Sequence, residues 1–157
     1  MNRRHFVAIV AGLAGLGRAA AAPKDAPTVQ KLVLSEAEWR KRLTPEQFAV
    51  LREEATERAG SSPLDHETRK GTYVCAGCDL PLFDSSAKYD SGTGWPSFFT
   101  YIAGHLGMKN DFKLIFPRTE YHCARCGGHQ GHVFDDGPPP TGKRYCNNGV
   151  ALKFIPA

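Results

Sequence analysis

Thr72-Tyr73-Val74-Cys75-Ala76-Gly77-Cys78 runs a strand-like approach into two cysteines separated by two residues, and Glu120-Tyr121-His122-Cys123-Ala124-Arg125-Cys126 repeats the layout further along the chain. Two residues between cysteines let a tight turn aim both sulfurs at one point. Two such turns facing each other supply four thiolates at tetrahedral corners, the pattern of a structural Zn²⁺ site with no open position for water. The pairs are 44 residues apart, more than the roughly 15 to 20 of a compact zinc ribbon, so a sizeable loop or subdomain is inserted between them. In an oxidising compartment the same four cysteines could close two disulfides, and a lone Cys-x-x-Cys could be a redox-active dithiol. The dithiol alternative leaves the second copy without a purpose.

Around these turns lie short β-rich pieces punctuated by Gly, Pro, Asp and Asn. Thr72-Tyr73-Val74, Lys113-Leu114-Ile115-Phe116, Glu120-Tyr121-His122, His132-Val133-Phe134 and Val150-Ala151-Leu152-Lys153-Phe154-Ile155 are the strand candidates. Upstream, Ser35 with Glu38 three places on is a capping pair opening a short helix that carries Trp39 and Leu43. Thr44-Pro45-Glu46-Gln47 repeats the signal, with Phe48, Leu51 and Ala55 on one face, so a helical pair is expected to end near Gly60. Its charges Arg52, Glu53, Glu54, Glu57 and Arg58 read as a solvated face. An antiparallel β core preceded by helices follows.

The chain has 157 residues, 41% hydrophobic and 23% charged, which bounds it to one soluble-type domain able to bury a core without disulfides. Its net charge of +4 owes much to Arg3, Arg4 and Arg18 in a start that holds no acid, so a phosphate-tracking surface is not indicated and no nucleic-acid partner is expected. Residues 1–21 have the secretory layout of cationic start, apolar run and small-residue cleavage site. Phe6 to Gly17 is twelve residues, short of the roughly 18 to 20 that span hydrocarbon, so no permanent membrane span is expected; an uncleaved N-terminal anchor is the alternative. Paired Arg3-Arg4 with Phe6 resembles the twin-arginine export signal. A protein exported already folded closes its thiolates around metal in the reducing cytoplasm, which weighs against disulfides. Residues 22–33 read as a linker, leaving 34–157 as the functional domain.

With four thiols committed, Cys146 stands alone in Arg144-Tyr145-Cys146-Asn147-Asn148. In a strand, Arg144, Cys146 and Asn148 project together, followed on that side by Val150, Leu152 and Phe154. A guanidinium beside a thiol favours the thiolate, the form a reactive cysteine uses. Just upstream, His129-Gln130-Gly131-His132-Val133-Phe134-Asp135-Asp136 places two imidazoles and two carboxylates nearby, and a carboxylate can orient an imidazole or hold its proton. A third ingredient is Trp95 in the turn Ser91-Gly92-Thr93-Gly94-Trp95-Pro96-Ser97-Phe98. A zinc-stabilised binding module with an inert Cys146, and a general disulfide oxidoreductase, are the competing readings.

Taken in order, Cys75-x-x-Cys78, Lys88-Tyr89-Asp90-Ser91-Gly92-Thr93-Gly94-Trp95-Pro96-Ser97-Phe98, Cys123-x-x-Cys126, His129-x-Gly131-His132-Val133-Phe134-x-Asp136-Gly137-Pro138 and Arg144-Tyr145-Cys146-x-Asn148 resemble methionine sulfoxide reductase type B from about Leu34 to Phe154. The resemblance implies a mainly β fold of two antiparallel sheets with short N-terminal helices and one structural zinc per chain on Cys75, Cys78, Cys123 and Cys126. It implies reduction of the R epimer of methionine sulfoxide in peptides or proteins. Cys146 is then the nucleophile and His132 the acid nearest the substrate. His129 and Asp136 tune that acid, Arg144 favours the thiolate, Asn148 helps hold the imidazole and Trp95 packs the substrate methyl.

Two departures matter. Thr93 stands where many relatives carry a resolving cysteine, so an external thiol reductant such as a thioredoxin-like protein is expected. Asn148-Gly149 replaces the common Asn-Ser. A monomer acting in the periplasm after signal cleavage completes the expectation.

Overall fold

The computed structural model describes residues 28–112 and 117–157. The export signal over 1–21 and the strand expected at Lys113-Leu114-Ile115-Phe116 lie outside the described residues, as does the first part of the 22–33 linker. What is described of that linker is tied down: Leu32 donates its N–H to the Arg125 carbonyl at 2.8 Å, and Val29 and Leu32 pack against the core.

Two capped helices come first. Helix α1 (Glu36–Arg42) starts at Ser35, whose hydroxyl accepts the Glu38 N–H while the Glu38 carboxylate reaches back to the Ser35 N–H at 2.8 Å. Helix α2 (Pro45–Glu53) starts at Thr44 with the same reciprocal pair to Gln47 and with Pro45 in the first turn. The pair ends at Glu53 rather than near Gly60, because Glu54 turns left-handed at φ 57° and the chain leaves the helix axis. That early exit carries residues 55–59 across the molecule toward the site described below.

Nine strands follow among the described residues. A three-stranded antiparallel sheet has the order β2 (Pro81–Asp84), β1 (Gly71–Cys75), β9 (Leu152–Pro156). A six-stranded antiparallel sheet has the order β3 (Lys88–Tyr89), β4 (Ser97–Phe98), β8 (Arg144–Asn147), β7 (His129–Phe134), β6 (Arg118–Cys123), β5 (Leu106–Asp111). The sequence expectation of two antiparallel sheets with short N-terminal helices is met. Strands β2 to β5 carry little alternation of apolar and polar residues, β3 and β4 being two residues each, which is why periodicity missed them.

Aromatic side chains from both sheets meet in the core. Phe83 of β2 stacks on Phe98 of β4 with centroids 4.1 Å apart, and Tyr73 of β1 meets Phe98 edge-on at 4.9 Å. Such pairs add about 0.5–1.5 kcal/mol each beyond the area they bury. The pairing registers then draw one row across the large sheet: Lys109 opposite Glu120, Glu120 opposite His132, His132 opposite Cys146, Cys146 opposite Ser97 and Ser97 opposite Tyr89. Directly opposed residues share a face, so an imidazole and the fifth thiol become neighbours.

Candidate active site and metal centre

The turn after β1 and the turn after β6 bring Cys75, Cys78, Cys123 and Cys126 together, their sulfurs all within 4.8 Å of one another and all four residues buried. Cys75 and Cys126 lie 3.6 Å apart and Cys78 and Cys123 3.4 Å apart. These gaps are far beyond a bonded S–S length of about 2.05 Å. They are close to the edge of about 3.8 Å that a tetrahedron with metal–sulfur bonds of about 2.3 Å requires.

The surroundings fit a metal held by four thiolates, which with a divalent ion has a net charge of −2. Lys31 donates to the Ala124 carbonyl, Arg42 to Gly77, Arg52 to Cys126 and Arg125 to Cys78, at 2.7, 2.7, 2.9 and 3.1 Å. Four cations thus fasten the carbonyls of both turns. Gln130, fully buried, donates to the Cys75 sulfur at 3.4 Å. Arg52, read from sequence as part of a solvated face, instead crosses Trp39 at 4.9 Å to reach its carbonyl.

Cys146 lies outside this cluster, half-buried at a small pocket of about 120 Å³ lined by Thr56, Trp95, Arg118, His132, Phe134 and Asn148 among others. A larger cavity of about 670 Å³ beside α2 has neither cysteine nor histidine in its lining, and none of the site residues expected from the sequence borders it. Burial pushes the Cys146 thiol above its ordinary value, opposed by the Arg144 guanidinium and by a hydrogen bond with Thr93. The net direction is therefore opposite to the one expected from Arg144 alone. Desolvation outweighs a guanidinium whose charge is largely answered by Asp136, which it holds through Nε and one terminal nitrogen at 2.8 Å each.

His132 is mostly buried, and burial pushes its imidazole below the ordinary value, against a hydrogen bond to the Asp111 carboxylate that favours the cation. The expected tuning carboxylate was Asp136; that group is engaged by Arg144, and the carboxylate on His132 is Asp111, whose Oδ2 lies 2.7 Å from Nε2. Asp111 is 21 residues away and sits on β5, beyond any local sequence signal. His129 is buried with Nδ1 2.9 Å from Glu120 Oε1, an ion-pair distance without hydrogen-bond alignment, and its ring meets that of His132 edge-on at 5.4 Å.

Asn148 is placed differently from the expected strand alternation. Strand β8 stops at Asn147 and Gly149–Ala151 form a 3-10 turn, so Asn148 becomes a strut: its amide donates to the Gln130 carbonyl at 3.0 Å and accepts the Glu57 N–H at 3.0 Å. The Glu57 carboxylate in turn accepts the N–H groups of Gly149 and Val150 at 2.6 and 2.9 Å, and its carbonyl accepts the Trp95 indole N–H at 3.2 Å. Glu57 is thus a hidden clamp beneath the site rather than a solvated charge. Thr93 joins a hydroxyl cluster, with Ser91 2.8 Å from both Thr93 and Ser97.

Fold and cysteine geometry together define a mainly β protein of two antiparallel sheets joined by four cysteines positioned to bind a metal. The sequence matches the SelR domain over residues 43–156, and the chain belongs to that family. It is 53% identical to a peptide methionine sulfoxide reductase MsrB of Bradyrhizobium diazoefficiens over 85% of this chain and 96% of that protein. It is 52% identical to a protein of the same name from Agrobacterium fabrum over 82% of this chain and 96% of that one. A peptide methionine sulfoxide reductase B1, chloroplastic, of Arabidopsis thaliana is 56% identical over 77% of this chain and 60% of its own longer length.

Proposed function

We propose that this protein reduces methionine sulfoxide, peptide-bound and of R configuration, through Cys146. The observation that carries the reading is a lone, half-buried thiol opposite an imidazole across β7 and β8, at a pocket that also holds an indole. The names of its relatives agree.

A sulfoxide sulfur is a weak electrophile and oxide a poor leaving group, so the step needs a thiolate and a proton for the oxygen together. The Cys146 sulfur attacks the sulfoxide sulfur and His132 supplies the proton to the oxygen. The protonated oxygen then passes from the substrate sulfur to Cys146: the substrate sulfur–oxygen bond and the newly formed sulfur–sulfur bond break, a Cys146 sulfur–oxygen bond forms, the thioether leaves and Cys146 becomes a sulfenic acid. Trp95 packs the substrate methyl group. A first external thiol displaces water from the sulfenic acid to form a mixed disulfide. A second releases Cys146 as thiol and itself as disulfide, so two thiols are oxidised per sulfoxide reduced.

Thr93 offers no sulfur for an internal disulfide, and the other four cysteines are gathered in the metal cluster. The cluster binds zinc in this reading, a structural ion on four thiolates that takes no part in the step. The twin-arginine-like start supports a reading in which this work is done after export, in the periplasm, which fractionation of cells expressing the full chain checks.

The deciding experiment is single-turnover reduction of peptides carrying R or S methionine sulfoxide, with thiol counting before and after. One thiol is expected to disappear, at Cys146, with the R epimer only and with no internal disulfide. Full turnover by Cys146→Ser would overturn the assignment.

A further inference from the structure

We infer that Asp111 is the positioning residue for His132, fixing its proton on Nε2 so that Nδ1 is the nitrogen that takes the proton of the Cys146 thiol and passes it to the sulfoxide oxygen. One carboxylate oxygen of Asp111 accepts both the Arg118 guanidinium and His132 Nε2, each at 2.7 Å. A carboxylate held against a guanidinium is an acceptor only, so the imidazole nitrogen facing it must be the donor. The neutral ring then keeps its lone pair on Nδ1. Asp111 is 6% exposed at its side chain and His132 13%, so little water competes for this bond.

Arg118 is the second half of the device. It lines the same pocket as Cys146 and His132, and its Nε is buried with no partner among the described residues. Asp111 favours the imidazolium; burial first, and the charge of Arg118 with it, oppose that. Among the described residues, the charged and titratable groups around His132 are Asp111 and Lys109 from β5, Arg118 and Glu120 from β6, His129 from β7 and Cys146 from β8. In the substrate-free protein the result is a neutral imidazole beside a protonated thiol, the pairing in which a base activates a nucleophile and a third group orients the base. The proton leaves sulfur for Nδ1 and then goes to oxygen, and none is gained or lost overall as thiol and sulfoxide become sulfenic acid and thioether.

This inference rests on the reductase reading for its chemistry, but its first test does not. In ¹⁵N-imidazole NMR of the unmodified protein, His132 above its titration point is expected as the Nε2–H tautomer; an Nδ1–H tautomer overturns the inference and leaves reduction untouched. Asp111→Asn is expected to move the His132 titration down and Arg118→Met to move it up. Shifts of the same sign, or none, overturn it. Asp111→Asn is further expected to slow single-turnover oxidation of Cys146 about 10²-fold with KM nearly unchanged, the lower range of acid–base assistance. A comparable loss with an unmoved titration marks a merely structural residue and overturns the positioning role. Failure of the wild-type protein to reduce sulfoxide sinks the proposed function instead.

Discussion

A thiol such as Cys146, buried at a pocket wall, meets solvent reagents as the neutral form over most of the physiological range. The rate of its alkylation by iodoacetamide, followed by mass spectrometry, is expected to rise with pH through a midpoint above the ordinary thiol value of about 8.5. Arg144→Met removes the main group that favours the thiolate and leaves burial opposed only by the weaker hydrogen bond with Thr93. The midpoint then moves further up; a downward move contradicts the assignment of Arg144 as a group that favours the thiolate. At this scale the lone Cys146, the imidazole pair, Trp95 and the four clustered cysteines stand out by residue type and spacing, while the choice of His132 as the acid comes only from the family resemblance. Asp111, Arg118 and Glu57 were not legible, since each matters through a partner at least seven residues distant that only strand pairing or a crossing loop supplies.

The elements around the site are joined by close backbone approaches that a side chain would obstruct. A Cβ on Gly131 would lie 1.9 Å from the Cys146 carbonyl oxygen. Gly131→Ala is therefore expected to force β7 from β8 and destabilise the protein by about 1–3 kcal/mol in urea unfolding. Gly149 gives a subtler case. A Cβ there would lie 2.0 Å from the Ser62 hydroxyl oxygen and 2.3 Å from its Cβ, so Ser62 fills the space that a serine at 149 would need. Gly149→Ser is expected to destabilise the 3-10 turn, and Ser62→Gly in the same chain to restore most of the loss; additive losses in the double variant would refute the coupling. The helices were legible from their capping pairs. The exit of α2 at Glu54 was not, because the residues that follow are drawn away by Glu57 binding Gly149 and Val150, a contact between positions more than ninety residues apart.

Across the whole molecule, the four-cysteine cluster brings a turn of the three-stranded sheet against a turn of the six-stranded sheet, where an ion would fasten the two. Apparent binding energies of about 10–16 kcal/mol for structural zinc match the entire stability of a domain, about 5–15 kcal/mol. Extraction of the ion by a strong chelator is expected to abolish cooperative thermal unfolding, with circular dichroism as the readout and re-addition of zinc as the control. Retention of the same Tm after metal analysis shows no zinc would contradict a cross-linking role. The ligands must be thiolates, so release is also expected as pH falls and the sulfurs take up protons.

By itself the sequence determined the cysteine quartet, the spare thiol, the two capped helices and the β character of the rest, because tight turns, caps and alternation act over a few residues and leave a mark in spacing. Tertiary structure alone decided which carboxylate meets which cation or imidazole: Asp136 goes to Arg144 and Asp111 to His132. It also decided that the Cys146 thiol is held high rather than low. Both depend on burial and on strand register, which bring distant residues to within hydrogen-bond reach and remove the water that would otherwise screen them.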